Sequence, residues 1–587
     1  MKTAVFVLVF VSCVSASAFA QFRVNSERDA IDISATDRMC STGMTIGGEP
    51  ECTLRAAVME ANRRGGALIS LPSGTYVLTL GTEPGDPSGE TEDILQDAGV
   101  PALIALRTRD LDVEGALFIV GEGPETTIID GNGSDRVFHI TSRSLGDQEF
   151  ANLTIRNGRV RGRPGGCVSR QQSRGVLSFG NVVLEGCVAE ESVGGALFNR
   201  GAVIMARSVV RSSRAWHGGG IFNQGFLQVS ESSFRGNTGQ SFGTVEGRGG
   251  AIYHASRGGE PPLLRLWYSA LVHNVAVVGG GLYIEGEAGI SNSTISSNRA
   301  ARGGGILAAH VPGTEVGVSS STIVNNIGEG LRRETSRPLR VGRTIVAANA
   351  HPNGELANCA GRMFSTGDMI EDADTCGFNA DGDTPNTDPM IGPLGLNGGL
   401  TETHPLLEGS PAIDGTRVTA EGTDQRGFPR PIFDSHDIGA YEFGMDDLSL
   451  AIIVPIRWSD LFRTPLPASP AGYSVTLSLG STRSSRAYVG IPHFTNIKPA
   501  EGQGQLKVAL DPSGRIMHVS GIAVPPKQGE KAKLAATDQT ILFYVDIQRP
   551  VKGQAALRIR DVQCACNAKP AKPSRIALPR VQRPDKK

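Results

Sequence analysis

Aromatic side chains make up only 5% of this 587-residue chain, and its formal net charge is −2. The near-neutral balance removes the global field that draws a protein to nucleic acid or to an anionic membrane surface. After the first twenty residues no apolar run is long enough to span a bilayer. The nine cysteines include no CxxC or Cys/His ligand spacing, which excludes a structural zinc site. Glycine is abundant at 75 residues but follows no Gly-x-y period, so collagen is excluded. Ala/Leu-rich stripes at helical spacing are missing, which excludes ankyrin and tetratricopeptide arrays. Neither a nucleophile elbow nor a phosphate loop is present.

What is present is repetition. "VGGALFNRG" (Val193–Gly201) returns as "HGGGIFNQG" (His217–Gly225), and again as "RGGAIYH", "VGGGLYI" and "RGGGILA". A second phrase alternates with it: "SSFRGN", "SALVHN", "STISSN" and "STIVNN". Short β-prone runs bounded by Gly or Asn, at this spacing, predict the stacked coils of a parallel β-helix. Strand alternation then points Leu197, Ile221, Ile252, Leu282 and Ile306 inward. The next column, Phe198, Phe222, Tyr253 and Tyr283, points outward as an aromatic ladder on which sugars could stack. Asn237, Asn274, Asn298 and Asn326 form a third column at a turn, suited to left-handed backbone and to amide bonds between coils.

Residues 1–20 read as a signal peptide, with Lys2, an apolar run and an Ala18-Phe19-Ala20 cleavage pattern that makes Gln21 the mature N-terminus. Eight cysteines remain in an exported chain, and their local pairing predicts the disulfides Cys40–Cys52, Cys167–Cys187 and Cys359–Cys376. A Cys564–Cys566 bridge would be strained. Within "CTLRAAVMEANRRGG", Thr53 caps a helix with Leu54, Ala57, Val58 and Ala61 on one face, ended by Gly65 and Gly66. This places an N-terminal cap of the β-helix in residues 21–80 and the β-helix with its closing segment in 81–445. Alternating runs such as "YSVTLSLG" and "TILFYVDI" predict a β-sandwich over 447–566, and 567–587 reads as a basic, disordered tail.

"CTLRAAVMEAN" with "LPSGTYVLTL" resembles the CSLREA segment that opens secreted bacterial β-helix proteins, departing from it at Thr53 and Ala56. The stretch Asp388–Phe443 resembles the choice-of-anchor segment that closes them. The resemblance implies a right-handed, pectin-lyase-like β-helix on or outside the cell, and no single activity.

Polysaccharide lyases and glycosidases of such a fold need clustered carboxylates, with a basic residue or calcium in the lyases. The repeated columns hold hardly any Asp or Glu. The sequence therefore points to an exported scaffold for surface binding or adhesion, with an extracellular polysaccharide or cell-surface glycan as partner, and a lyase or hydrolase as the alternative. No cofactor is required. Candidate ligand-binding residues are the four aromatics together with Arg161 and Arg163, from a stretch that also carries Arg156, Arg159, Arg170 and Arg174. Asp381 and Asp383, flanking a glycine in an acidic loop, are the candidate calcium ligands.

Overall fold

The computed structural model describes residues 20–444 apart from 35–36, 81–109, 257–261, 310–313, 335–337, 419–421 and 433. Beyond 444 only strand backbones between 451 and 577 are described. The signal segment before Ala20 lies outside the described residues. The chain divides into two compact units, one of residues up to 389 with 393–404, the other of 390–392 with residues from 405 onward.

The first unit is a parallel β-solenoid of about nine turns. Ten short strands, from Leu111–Val113 through Ile252–His254 to Cys359–Ala360, pair in parallel as one sheet. A 21-stranded sheet takes two strands from most coils, such as Phe226–Ser230 and Ser233–Arg235. A four-stranded side sheet is built from Arg159–Arg161, Val188–Val193, Arg214–His217 and Thr238–Gly239. Leu197, Ile221, Ile252, Leu282 and Ile306 are in register, fully buried, and part of one continuous core.

The paired glycines are forced by the corner. Gly249 has φ 64°, and a Cβ on Gly250 would lie 2.2 Å from the carbonyl oxygen of Gly280 in the next coil. No side chain tolerates that approach.

The asparagine column is continuous and longer than predicted. Nδ2 of Asn237 donates to Oδ1 of Asn274 at 3.0 Å, and the chain of bonds runs on through Asn298, Asn326 and Asn349 to Asn358. The left-handed backbone, however, sits on the residue before each ladder position. His273, Ser297, Asn325 and Ala348 have φ between 54° and 58°. That twist turns the following Asn inward, where its amide replaces the water that a corner carbonyl would otherwise need. A second ladder stands five residues earlier in each coil. Ser208, Ser232, Ser269, Ser293 and Ser321 each accept from the backbone N–H of the ladder residue in the preceding coil, or from Val182 at the start, at 3.1–3.3 Å.

Leu54–Arg64 is a helix. The Thr53 hydroxyl accepts from the Ala56 N–H at 3.2 Å, and Gly65 ends it at φ 74°. Leu54, Ala57, Val58 and Ala61 join the solenoid core, and Arg55 is buried against Asp29 at 2.6 Å.

All three predicted disulfides are formed, with Cα separations of 5.1, 5.3 and 4.8 Å. Cys167 and Cys187 are fully buried. Replacing both by serine should lower stability by about 2–3 kcal/mol through the loop entropy restored to the unfolded chain. Urea unfolding of variant and parent, compared at equal slope, checks this.

In the second unit, Asp437 and Glu442 are both buried, and Arg430 lies 3.2 Å from Glu442. Burial pushes both carboxyls well above the usual range, and Asp437 raises Glu442 further. A proton is therefore held more tightly folded than unfolded. The resulting stability is full below the ordinary carboxyl range and falls as pH rises through neutrality. The urea midpoint of the second unit should decline from pH 5.5 to pH 8, and Asp437→Asn should flatten the decline.

Farther on, strand backbones pair antiparallel into two four-stranded sheets. Ser574–Ala577, inside the segment predicted to be disordered, pairs with Gln554–Cys564. It is a proline-free island between Pro-rich flanks, so its N–H groups are available to a ladder.

Candidate functional site

The aromatic column points away from the solenoid core, as alternation requires, but it is not an open ladder. Phe198, Phe222, Tyr253 and Tyr283 are 3–7% exposed and form a second apolar cluster with Val278, Leu307 and Ala309. The rings pack on one another, Tyr253 edge-on to Tyr283 at 4.8 Å. Arg248 lies over the Tyr283 ring at 5.2 Å and Arg200 over Phe198 at 5.1 Å. Burial, with Glu285 beside it, pushes the Tyr253 phenol far above its usual range. His217, edge-on to Tyr253 at 5.3 Å, is held down to about 4 by burial and then by Arg248. Sugar stacking needs an uncovered ring face, and this column offers none.

The arginine-rich stretch is not a basic patch either. Arg156 pairs with Asp130 at 2.7 Å, Arg159 with Glu190, and Arg161 with Glu191 at 2.7 Å. Arg170 is fully buried, donating to Gln148 and to the Gly175 carbonyl. Desolvation lowers its guanidinium pKa to about 10. Arg163 is half-buried. The glutamates come from the next coil, so a local reading of the sequence leaves them out.

Asp381 is exposed, while Asp383 organises its own loop. Its carboxylate accepts from the Ser365 hydroxyl at 2.9 Å and from the N–H groups of Met369 and Ala380 at 3.1 and 2.7 Å. Among the described residues, two other groups bring three potential metal-ligand atoms within 4.8 Å of one another: Asp110, Asp112 and His139, and Asp32, Asp37 and Glu60. Arg136 already lies 2.7 Å from Asp110, and Asp32 accepts from the N–H groups of Ser34 and Ser41.

Two open concavities stand out among the described residues, one of about 450 Å³ on the 21-stranded sheet around Arg265, Trp267 and Arg340, the other on the side sheet. The latter, a groove of about 400 Å³, is lined by Arg161, Glu190, Arg214, Trp216, Gln240 and Phe242, among others. Trp216, half-buried on the strand Arg214–His217, lines the groove beside Ala215. Phe242 is 47% exposed and stacks on Trp216 at 4.6 Å with 27° between the rings. A tight turn holds it there: Phe242 and Val245 exchange both backbone hydrogen bonds across Gly243, at φ 56°. Arg214 is exposed and carries no ion pair among the described residues.

Of the predicted binding residues, only Arg161 lines this groove. Trp216 and Phe242 were not foreseen. Their signal was the repeat spacing, which lengthens from 24 residues (193 to 217) to 31 (217 to 248) and so announces an inserted loop. Comparison with protein-family profiles, curated proteins and solved structures returns no match.

Proposed function

We propose that the protein is an exported β-helix scaffold that binds a polysaccharide in the side-sheet groove. The observation that carries this reading is the stack of exposed Phe242 on half-buried Trp216, beside Arg214, which has no ion pair among the described residues. A flat apolar ring takes the C–H face of a sugar, while guanidinium and the Gln240 amide take its hydroxyls. The formal charges of Arg161, Arg214, Glu190 and Glu191 cancel, which suits a neutral chain better than an acidic one. Both glutamates are held by arginines, an arrangement for positioning rather than for the proton transfers of a lyase or hydrolase. Three disulfides fit an oxidising compartment outside the cytoplasm. On this reading the Leu54–Arg64 helix covers the first coil, and the C-terminal sheets form a sandwich available for attachment at the cell surface.

The test is affinity electrophoresis of the full chain against a panel of neutral and acidic polysaccharides. Trp216→Ala with Phe242→Ala should weaken retention by at least about 30-fold, equivalent to about 2 kcal/mol. The thermal midpoint should hardly move, because these rings are outside the core. Unchanged retention in the double variant, or no retention of the parent by any polymer, overturns the reading. Shortened polymer chains in the same panel would favour the hydrolase or lyase alternative.

A further inference from the structure

The larger concavity, of about 450 Å³, lies on the outer face of the 21-stranded sheet. Two outward columns build it. In one, Arg265, Gly289, Gly317 and Arg340 are cross-strand neighbours on four successive rungs. In the other, Trp267, Ser291 and Ser319 follow in the same order. The residues that alternate with them, Leu264, Leu266, Ile290, Val318 and Val341, belong to the core, so both columns face outward. The result is a trough along the stack, with glycine and serine on its floor and an arginine at each end. Three rungs of about 4.8 Å separate the arginines.

The backbone does not require these two glycines. Neither has a left-handed φ, and a Cβ on either would meet nothing within 4 Å. Gly250, at the corner, is the opposite case. Glycine weakens a strand interior, and in such a place it marks a close approach to the backbone. Arg265 is exposed and has no ion pair among the described residues. Arg340 lies over the Phe364 ring at 5.3 Å, and 4.0 Å from Glu315 in a contact more than half exposed on both sides. Exposed Glu287 and Glu315 stand two residues before the glycines, and no carboxylate lines the trough itself.

We propose that this trough binds a carboxylate-bearing polysaccharide, at a site independent of the side-sheet groove. An extended chain of sugar rings can lie on the glycine floor, where side chains would obstruct it. Arg265 and Arg340 then take carboxylates on separate sugar residues through paired N–H···O bonds. The Trp267 ring meets a C–H face beside Arg265, and the Ser291 and Ser319 hydroxyls bond sugar hydroxyls. A peptide suits the trough less well. An added strand needs a free sheet edge, and these strands are paired on both sides. With a neutral chain in one groove and an acidic chain in the other, the solenoid can hold two polymers together. That bridging role rests on the side-sheet reading, whereas the acidic site does not.

Affinity electrophoresis of the full chain in gels containing alginate tests this. The parent should be retained, and less so as salt rises. Arg265→Ala with Arg340→Ala should weaken retention by about 10-fold or more. Gly289→Val with Gly317→Val fills the trough without changing the charge, and valine suits a strand. That pair should fold normally and lose retention to the same extent. Trp216→Ala with Phe242→Ala should leave alginate retention as it is, which separates this site from the side-sheet groove. No retention of the parent overturns the proposal, as does parent-like retention in the arginine pair or in a folded glycine pair. Loss of alginate retention in the Trp216, Phe242 variant overturns it too. The arginine pair, on the surface, decides the matter even if the glycine pair misfolds.

Discussion

Replacing Asn298 by leucine should destabilise the solenoid by about 3–5 kcal/mol, although the two side chains are similar in size. Asn298 accepts from the Asn274 N–H and from the Asn274 amide, at 3.0 and 2.9 Å. It donates to Asn326 at 3.0 Å and to the Leu271 carbonyl at 2.8 Å. Leucine removes all four bonds. The Asn274 N–H, in a fully buried residue, then has no acceptor, and the Leu271 carbonyl loses a donor. Each orphaned group costs about 1–3 kcal/mol, and the loss falls in the middle of a cooperative chain of amides. The neighbouring position gives the control. Ser297 carries the left-handed turn at φ 57°, so Ser297→Gly should be tolerated and even slightly stabilising. Urea unfolding with exchange of the Asn274 amide reads both. A loss below about 1 kcal/mol for Asn298→Leu would mean that the ladder is filled by chance rather than required.

That ladder also shows how far the sequence could be read. A coil that stacks on itself must place the same residue type at the same corner, so Ser232 and Asn237 recur as Ser269 and Asn274, then Ser293 and Asn298. The repeat, its inward column and the disulfides were legible for that reason. Alternation also gave the direction of Phe222 and Tyr253 correctly. It could not say what lies over them. Partly buried Val193 and Val277 pack against their cluster, while Arg200 and Arg248 lie over the neighbouring Phe198 and Tyr283 rings, residues outside the strands that carry the column. The arginine stretch failed in the same way. Glu190 and Glu191 sit 31 and 30 residues from their partners, one coil away, and only stacking brings them together. The groove needed a loop to fold back on its own coil, carrying Phe242 onto Trp216. No period in the sequence encodes that contact.

Truncating Ile252 to alanine should cost about 3–4 kcal/mol, towards the upper part of the range for buried aliphatic deletions. Ile252 is fully buried between Ile221 and Leu282, its partners one rung either side. The rung spacing is fixed by the hydrogen bonds of two sheets and by the Ser and Asn ladders, so the backbone cannot close over the void. Ile252→Val should cost only about 1 kcal/mol, because one methyl leaves little cavity. Tyr253, the next residue, separates two pictures of the outer face. A ring standing in water would be lost at almost no cost. Tyr253 is instead 6% exposed and touches Phe222 at 5.0 Å and Tyr283 at 4.8 Å between centroids. Tyr253→Ala should therefore destabilise by about 2–3 kcal/mol, less than a core ring because flexible Arg248 can settle into the space. Equilibrium unfolding of the three variants at a common slope decides it. A neutral Tyr253→Ala with a costly Ile252→Ala would show that the outer column is open in solution, and would return those rings to the candidate sugar-binding surface.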